Sequence, residues 1–322
     1  MTLRTGMTLR PGITVTFSDD GDGRLALDYR SASDIAQVLV GKPAELAPDL
    51  LGALFAVCPS AQQLAARSAI AAEGGTMLAQ AEFAAMTRSV RFETLREHGV
   101  RVLLDWPQAM DEEPPRAELA ALINLTRERD GKGLADHIAQ TIFGRGEADW
   151  LAIESLQELD RWVVQADNVA ARFIRHSLDA ENLRLAFGPL RPPLLDRYRA
   201  HPLVKALKDD VMTACHVARL IDLAMLVLEC RIGVSRHQSG PVAKAGGVAC
   251  SRGELFHKLS LKDGMIASYQ IHSPTDALFA TGGLGEQWLK RVSKSPLQSR
   301  MVAARRVMHA LDPCVEYVIE AR

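Results

Sequence analysis

Between Ile13 and Tyr29 apolar and polar residues alternate, with Ile13, Val15 and Phe17 before Asp19-Asp20-Gly21-Asp22-Gly23 and Leu25, Leu27 and Tyr29 after it. A period of two broken by an Asp/Gly run predicts a β-hairpin over 13–29. The period then lengthens. Ser33 is placed to cap a helix ending near Gly41, and Leu64, Ile70 and their neighbouring alanines fit a helix that begins just after Cys58-Pro59. Phe83, Met86, Val90 and Leu95 predict a helix over 78–98, closed near His98-Gly99. Asp111-Glu112-Glu113-Pro114-Pro115 reads as a surface connection. Further helical segments are expected over 116–128, 132–143, 147–183 with breaks, and 202–232. Val211 to Leu228 is apolar on most faces and reads as a buried central helix.

After Gly240-Pro241 the pattern changes. Leu255–Leu261 and Met265–Ile271 are strand-like and joined by Lys262-Asp263-Gly264, a hairpin signal. Two helices, 284–293 and 297–311, precede Asp312-Pro313-Cys314. The fold class expected is mainly α with small β elements (α+β). Composition agrees: 48% of residues are hydrophobic but only 5% aromatic, so the core is built of Leu, Ala, Val and Ile, which favours packed helices.

Charge and cysteine usage narrow the function. The 38 basic and 39 acidic residues nearly cancel, leaving a net charge of −1 and no electrostatic case for nucleic acid or an anionic membrane. Five cysteines at irregular spacing argue against a disulfide framework and for a reducing compartment. The N-terminus lacks the apolar core of a signal peptide, and no stretch reaches the ~18 uninterrupted apolar residues of a membrane helix. A cytoplasmic protein with no membrane partner is expected.

Cys58 stands near the front of the chain and Cys314 near its end, so only a fold that joins the two ends makes them one site. A soft metal held by thiolates is the chemistry that pairing suits. Cys58 precedes a predicted helix, where the dipole and free N–H groups favour a thiolate. Cys215 and Cys230 lie in the apolar central helix and read as core. Cys215 and His216 are adjacent on that helix and point to different faces, so they do not read as a ligand pair. Cys250, two residues before Arg252, reads either as a further thiolate ligand or as a small loop residue. His98, His237, His257 and His272 show no metal-ligand spacing.

Several blocks resemble the large subunit of [NiFe] hydrogenases. Phe55-Ala56-Val57-Cys58-Pro59 occupies the place of that family's Cys-x-x-Cys-Pro motif, with Phe55 at the first cysteine. The stretch from Arg88 to Leu104-Asp105-Trp106-Pro107 resembles the segment after that motif. Cys250-Ser251-Arg252-Gly253, Lys262-Asp263-Gly264, Tyr269-Gln270 and Ser273-Pro274-Thr275 resemble the family's Arg-Gly, Asp-Gly, Tyr-Gln and Pro-Thr series. Asp312-Pro313-Cys314 resembles its C-terminal metal-binding signature. The resemblance implies a degenerate large-subunit-like fold in a single domain over 1–322: an N-terminal hairpin 13–29, a helical body 33–232, and a C-terminal β-hairpin and cysteine segment 241–322.

The departures decide what the resemblance implies for chemistry. Each Cys-x-x-Cys pair has lost one cysteine, to Phe55 and to Tyr317, and the histidine after each is replaced by Gln62 and Glu320. No counterpart of the family's nickel-flanking Arg and Glu stands around Arg10-Pro11-Gly12 or Ala53. Nickel, which takes four thiolates there, is not expected. The iron side survives: Arg252 and Thr275 match residues that face the cyanides of the iron, and Cys58 matches a bridging, iron-bound cysteine; Cys314 matches a nickel-terminal ligand, so the second iron thiolate is Cys314 in a shifted pose or another residue such as Cys250. The pattern resembles the HupK/HoxV group of hydrogenase accessory proteins. That resemblance implies a non-catalytic scaffold that transiently binds Fe(CN)2(CO) before transfer to the hydrogenase large subunit precursor. Its implied partners are Hyp-type maturation proteins, including the small chaperone and its iron-assembling partner. Alternatives are a cofactor-free mimic that recruits maturation factors and an iron-only redox protein. The chain stops two residues after Glu320, so no removable C-terminal extension is expected.

Overall fold

The alternation at the front of the chain folds as expected in a computed structural model that describes residues 11–18, 24–180, 185–186, 188, 190–233 and 246–322. Strand β1 (Gly12–Phe17) buries Ile13, Val15 and Phe17 and pairs antiparallel with β2 (Leu25–Arg30), from Gly12 opposite Arg30 to Phe17 opposite Leu25. The Asp19–Gly23 turn, Arg10, His237 and Gly240-Pro241 lie outside the described residues.

Ser33 does not cap a helix; it begins a 3-10 helical segment, Ser33–Leu39, and its hydroxyl donates to Asp276 instead. Next come α1 (Ala47–Leu54), α2 (Pro59–Ala72) and α3 (Gln80–Val100). Proline at the first position of α2 suits a helix start, because its missing N–H is one that would have no helical partner.

The expected closure of α3 at His98-Gly99 is wrong. The helix runs on into a wider π-helical turn, Arg101–Asp105, and then α4 (Trp106–Ala109). Gly99 is there for contact: a Cβ on it would sit 2.6 Å from a methyl carbon of the buried Leu122.

The body continues with α5 (Arg116–Glu128), α6 (Gly131–Ile138) extended by a π-helical turn to Phe143, α7 (Glu147–Leu151), α8 (Leu156–Gln165) and α9 (Val169–Asp179). Local side chains start three of these helices: Asp130 accepts from Gly133 N, Ser155 forms a capping box with Glu158, and Asn168 accepts from Ala171 N. Short helices α10 (Pro193–Arg197) and α11 (Pro202–Ala206) lead to α12 (Val211–Ile232). As expected, α12 is central, packing on α3, α6, α7, α9 and α10. Among the described residues it is the one helix long and apolar enough to cross a membrane, but most of it is buried inside the protein. It also carries Arg219 and Asp222, both paired in the interior.

Strands β3 (Gly247–Cys250), β4 (Gly253–Lys262) and β5 (Met265–His272) form a second, antiparallel sheet. The β4–β5 turn is the two-residue type that Asp-Gly serves, with φ of 52° at Asp263 and 76° at Gly264. Then come α13 (Pro274–Phe279), α14 (Leu284–Val292), α15 (Leu297–Leu311) and a strand with no sequence signal, β6 (Tyr317–Ala321). It lies parallel to β1, Ile13 opposite Tyr317, and brings the end of the chain back to its beginning. Two apolar cores result. The larger lies among the helices and the β2-β1-β6 sheet, the smaller between α1, α2 and the second sheet. Cys58 and Cys250 pack on the smaller, and Val315 and Tyr317, beside Cys314, on the larger.

Candidate functional site

Cys58 occupies the residue before α2 but does not cap it. The cap comes from another helix. Glu93 of α3 accepts from Ser60 N at 2.6 Å and Ala61 N at 3.1 Å, so the N–H groups that would have favoured a thiolate are already engaged by a carboxylate. The expectation of a favoured Cys58 thiolate is therefore wrong. Burial pushes the Cys58 thiol well up, and the charges of Cys250, Cys314 and Glu93 push the same way, against a hydrogen bond from Gln62. Gln62 itself is buried. Its Nε2 lies 3.7 Å from the Cys58 sulfur, while its Oε1 has no hydrogen-bond partner among the described residues.

Cys250 ends β3 and Arg252 sits in the tight connection to β4, whose Gly253 has a φ of 141° and a Cβ position 2.6 Å from Pro193. Only glycine satisfies both demands. Burial raises the Cys250 thiol, opposed by the Arg252 backbone N–H and by the guanidiniums of Arg197 and Arg252. Arg252 is buried. Its Nε donates to the Asp312 carbonyl at 2.8 Å and its Nη1 to Ser251 Oγ at 3.0 Å, leaving Nη2 with a long 3.5 Å contact to the Asp312 carboxylate.

Cys314 comes after α15 and Asp312, which takes a left-handed φ of 48° and turns the chain toward the site. Thr275 is not a helix cap, since Ser273 caps α13. The Thr275 hydroxyl instead donates to the Cys314 sulfur at 3.1 Å and accepts from the Cys314 backbone N–H at 3.1 Å. It holds the cysteine at two points.

A buried polar chain fixes these segments relative to one another. Arg197 donates to the carbonyl of Gly253 at 3.0 Å and to Asp222 at 3.0 Å, and Tyr198 donates to the same carboxylate at 2.6 Å. The other Asp222 oxygen lies 2.7 Å from His98 Nε2, and His98 Nδ1 lies 3.0 Å from Arg219 Nη1. Arginine has no acceptor, so His98 Nδ1 accepts and Nε2 carries the proton to Asp222. A neutral ring with that tautomer agrees with burial holding the His98 pKa below its ordinary value. Arg219 then donates to Asp312 at 2.8 Å, and Arg101 and Arg252 pair with the same carboxylate at 2.6 and 3.2 Å.

The fold thus brings these segments to one region: Arg252 donates to the Asp312 carbonyl two residues before Cys314, Thr275 engages the Cys314 sulfur, Cys58 and Cys250 pack on one apolar core, and Arg252 and Arg96 meet at Glu97, Arg96 donating to the Val57 carbonyl beside Cys58. Cys215 and Cys230 stay on α12, away from it, and the Cys215 thiol is buried. Among the described residues no three His, Cys, Asp or Glu side chains are gathered closely enough to hold a metal ion. A cleft of about 430 Å³ opens beside Cys314 and Tyr317. Sequence reading missed Glu93, His98, Arg219, Asp222 and Arg101. Arg219 and Asp222 carried a visible signal, as charges inside an otherwise apolar helix.

No protein-family model matches the chain. The chain is 28% identical to a hydrogenase expression/formation protein HupK of Rhizobium leguminosarum bv. viciae, covering 97% of this chain and 96% of that one. It is 26% identical to HupK of Azotobacter vinelandii, over 90% of this chain and 92% of the other, and 24% identical to HoxV of Cupriavidus necator, over 88% and 89%. Both carry the same expression/formation description. Among solved structures, an NAD+-reducing [NiFe]-hydrogenase superposes with a TM-score of 0.57 at 15% identity, covering 92% of this chain and 94% of that one. The Ni-Fe-Se hydrogenase of Desulfovibrio vulgaris Hildenborough gives 0.56 at 13%, covering 90% and 92%. The fold is that of a degenerate hydrogenase large subunit, and the resemblance to HupK/HoxV proteins read from the blocks holds over nearly the whole chain.

Proposed function

We propose that the chain acts in hydrogenase formation as a non-catalytic scaffold that transiently holds iron carrying two cyanides and one carbonyl, Fe(CN)2(CO), before it passes to a hydrogenase large subunit precursor. Hyp-type maturation proteins, the small chaperone and its iron-assembling partner among them, would supply that cargo. The observation that carries the reading is that the buried Arg252, two residues after Cys250, donates to the Asp312 carbonyl two residues before Cys314, whose sulfur Thr275 engages, while Cys58 and Cys250 pack on one apolar core. Phe55, Gln62, Tyr317 and Glu320 stand where the resemblance would put nickel ligands and their histidines. Thiolates suit soft low-spin iron. A guanidinium donor suits a buried cyanide nitrogen, and Arg252 Nη2 is the donor least engaged. The unpartnered Gln62 Oε1 is a further polar atom beside Cys58: half a turn of the amide would let the Cys58 S–H donate to it and free the NH2 for a ligand.

A second reading, a large-subunit mimic that carries no cofactor and recruits maturation factors, is favoured by one specific observation. Two of the three Arg252 nitrogens already donate to Asp312 and Ser251. Infrared spectroscopy of protein co-produced with the maturation machinery separates the two. The scaffold reading expects cyanide and carbonyl bands that Cys58→Ser abolishes, because a hydroxyl is a poor ligand for soft iron. Arg252→Lys should weaken binding and shift the cyanide stretches, since an ammonium lacks the planar fork. Cys215→Ser should leave the bands alone. If Cys58→Ser and Arg252→Lys both keep wild-type bands and wild-type hydrogenase maturation, the mimic is the better account.

A further inference from the structure

The two faces of the second sheet differ. On β4, Leu255 and Leu259 belong to the smaller core, while Glu254, Phe256 and Lys258 point the other way and are exposed. On β5, His272 lies opposite Phe256 and Gln270 opposite Lys258, and both are exposed too. Phe256 is 37% exposed and lines two clefts, of about 640 and 350 Å³. Gly247 of β3 leaves room for its ring, since a Cβ there would lie 2.7 Å from it.

The charges flanking that ring carry the argument. Glu254 and Lys258 stand two positions either side of Phe256, on the same face. They are about 13 Å apart along the strand, too far to pair with each other. Neither has an ion-pair partner among the described residues. A Glu-x-Phe-x-Lys row is complementary to itself read backwards.

We propose that this face binds a second copy of the chain, as a two-fold dimer centred on Phe256. In such an isologous contact, what one residue offers its counterpart across the interface is returned by symmetry. A two-fold axis lying between the facing sheets and crossing β4 at Phe256 runs the two β4 strands antiparallel. It sets Glu254 of each copy over Lys258 of the other and brings the two rings together. Burial of the rings supplies attraction, and the two ion pairs fix the register. The larger cleft also carries Arg197 and Gly253, next to Arg252, so pairing closes the outer side of the candidate site. No bound cargo is needed for it.

Sedimentation velocity of the purified full chain, from micromolar to submillimolar concentration, tests this. Wild type should move from monomer toward twice the monomer mass as concentration rises. Glu254→Lys or Lys258→Glu alone sets like charges together at two places and should weaken the dimer at least about tenfold. The double reversal, Glu254→Lys with Lys258→Glu, restores both pairs and should return affinity to within about threefold of wild type. Phe256→Ser should weaken association about a hundredfold. Val164→Ser, at an exposed apolar position on α8, should change nothing. These positions are exposed, and far-UV circular dichroism checks that each variant keeps its fold. Wild type that stays monomeric throughout overturns the proposal and leaves the face to a different protein. A dimer indifferent to Phe256→Ser and to the single reversals overturns it as well, since association then uses another surface. So does damage from the single reversals that the double reversal fails to repair.

Discussion

Glu93 illustrates how a single side chain sets the chemistry of its neighbour. It takes the place of the missing cap on α2, and in doing so puts a carboxylate beside Cys58 rather than a free helix N-terminus. Two backbone N–H groups favour its charged form, yet burial outweighs them, and its pKa is pushed up to about 7 from 4.5. Between those values the folded protein keeps a proton that the unfolded chain has released, so stability falls as pH rises through the window. Glu93→Gln removes that titration. Urea unfolding should show wild type losing about 1–3 kcal/mol relative to the glutamine variant between about pH 5 and about pH 8. Parallel pH profiles for the two proteins would mean that Glu93 does not titrate there.

At the scale of elements, α3 shows which signals sequence carries and which it does not. His98-Gly99 looks like a helix end, but the structure uses Gly99 for close approach to Leu122 and continues the helix into the π-helical turn that presents Arg101 and Asp105. Gly99→Ala separates the two roles. Helix propensity alone would stabilise by about 1 kcal/mol. A Cβ within 2.6 Å of the fully buried Leu122 overpacks the contact, and a net loss of about 1–3 kcal/mol in denaturant unfolding is expected. A variant as stable as wild type would return Gly99 to a terminating role. The same division runs through the fold. Both hairpins, the Asp263-Gly264 turn and the long apolar α12 were legible because their signals are local periods and turn chemistry. Strand β6 was not, because it is defined by pairing with β1 at the other end of the chain. Of the candidate site, chain position and the resemblance together pointed to Cys58 and Cys314 and the resemblance to Arg252 and Thr275, while Cys250 stayed open between a thiolate ligand and a small loop residue. Neither supplied their contacts: the Thr275 bond to Cys314 and the Glu93 cap each join side chains from different elements and leave no mark in either segment alone.

Across the whole molecule, one carboxylate joins the parts that the site draws on. Asp312 holds Arg101 from the turn after α3, Arg219 from the middle of α12 and Arg252 from the β3–β4 connection. Through Arg219 it reaches His98 and Asp222, and through Arg197 the backbone at Gly253. Burial alone would raise the Asp312 pKa, but Arg219, Arg252 and Arg101 outweigh it and hold the carboxyl well below the usual carboxylate range. A depressed folded-state pKa contributes stability above the unfolded value of 3.8 and loses it only as pH falls through the folded one, so this junction persists in mild acid. Asp312→Asn leaves three guanidiniums around an uncharged amide. Breaking a buried pair by removing one partner costs about 3–5 kcal/mol, because charge is left uncompensated. A loss of that size is expected in urea unfolding, together with altered maleimide reactivity at Cys314, two residues away. Adding Arg219→Met to Asp312→Asn should recover part of the loss, since it withdraws one of the stranded charges; strict additivity of the two substitutions would show that they do not share a network. A cost below about 1 kcal/mol for Asp312→Asn would place the junction among ordinary surface pairs and leave the position of Cys314 to its Thr275 contact alone.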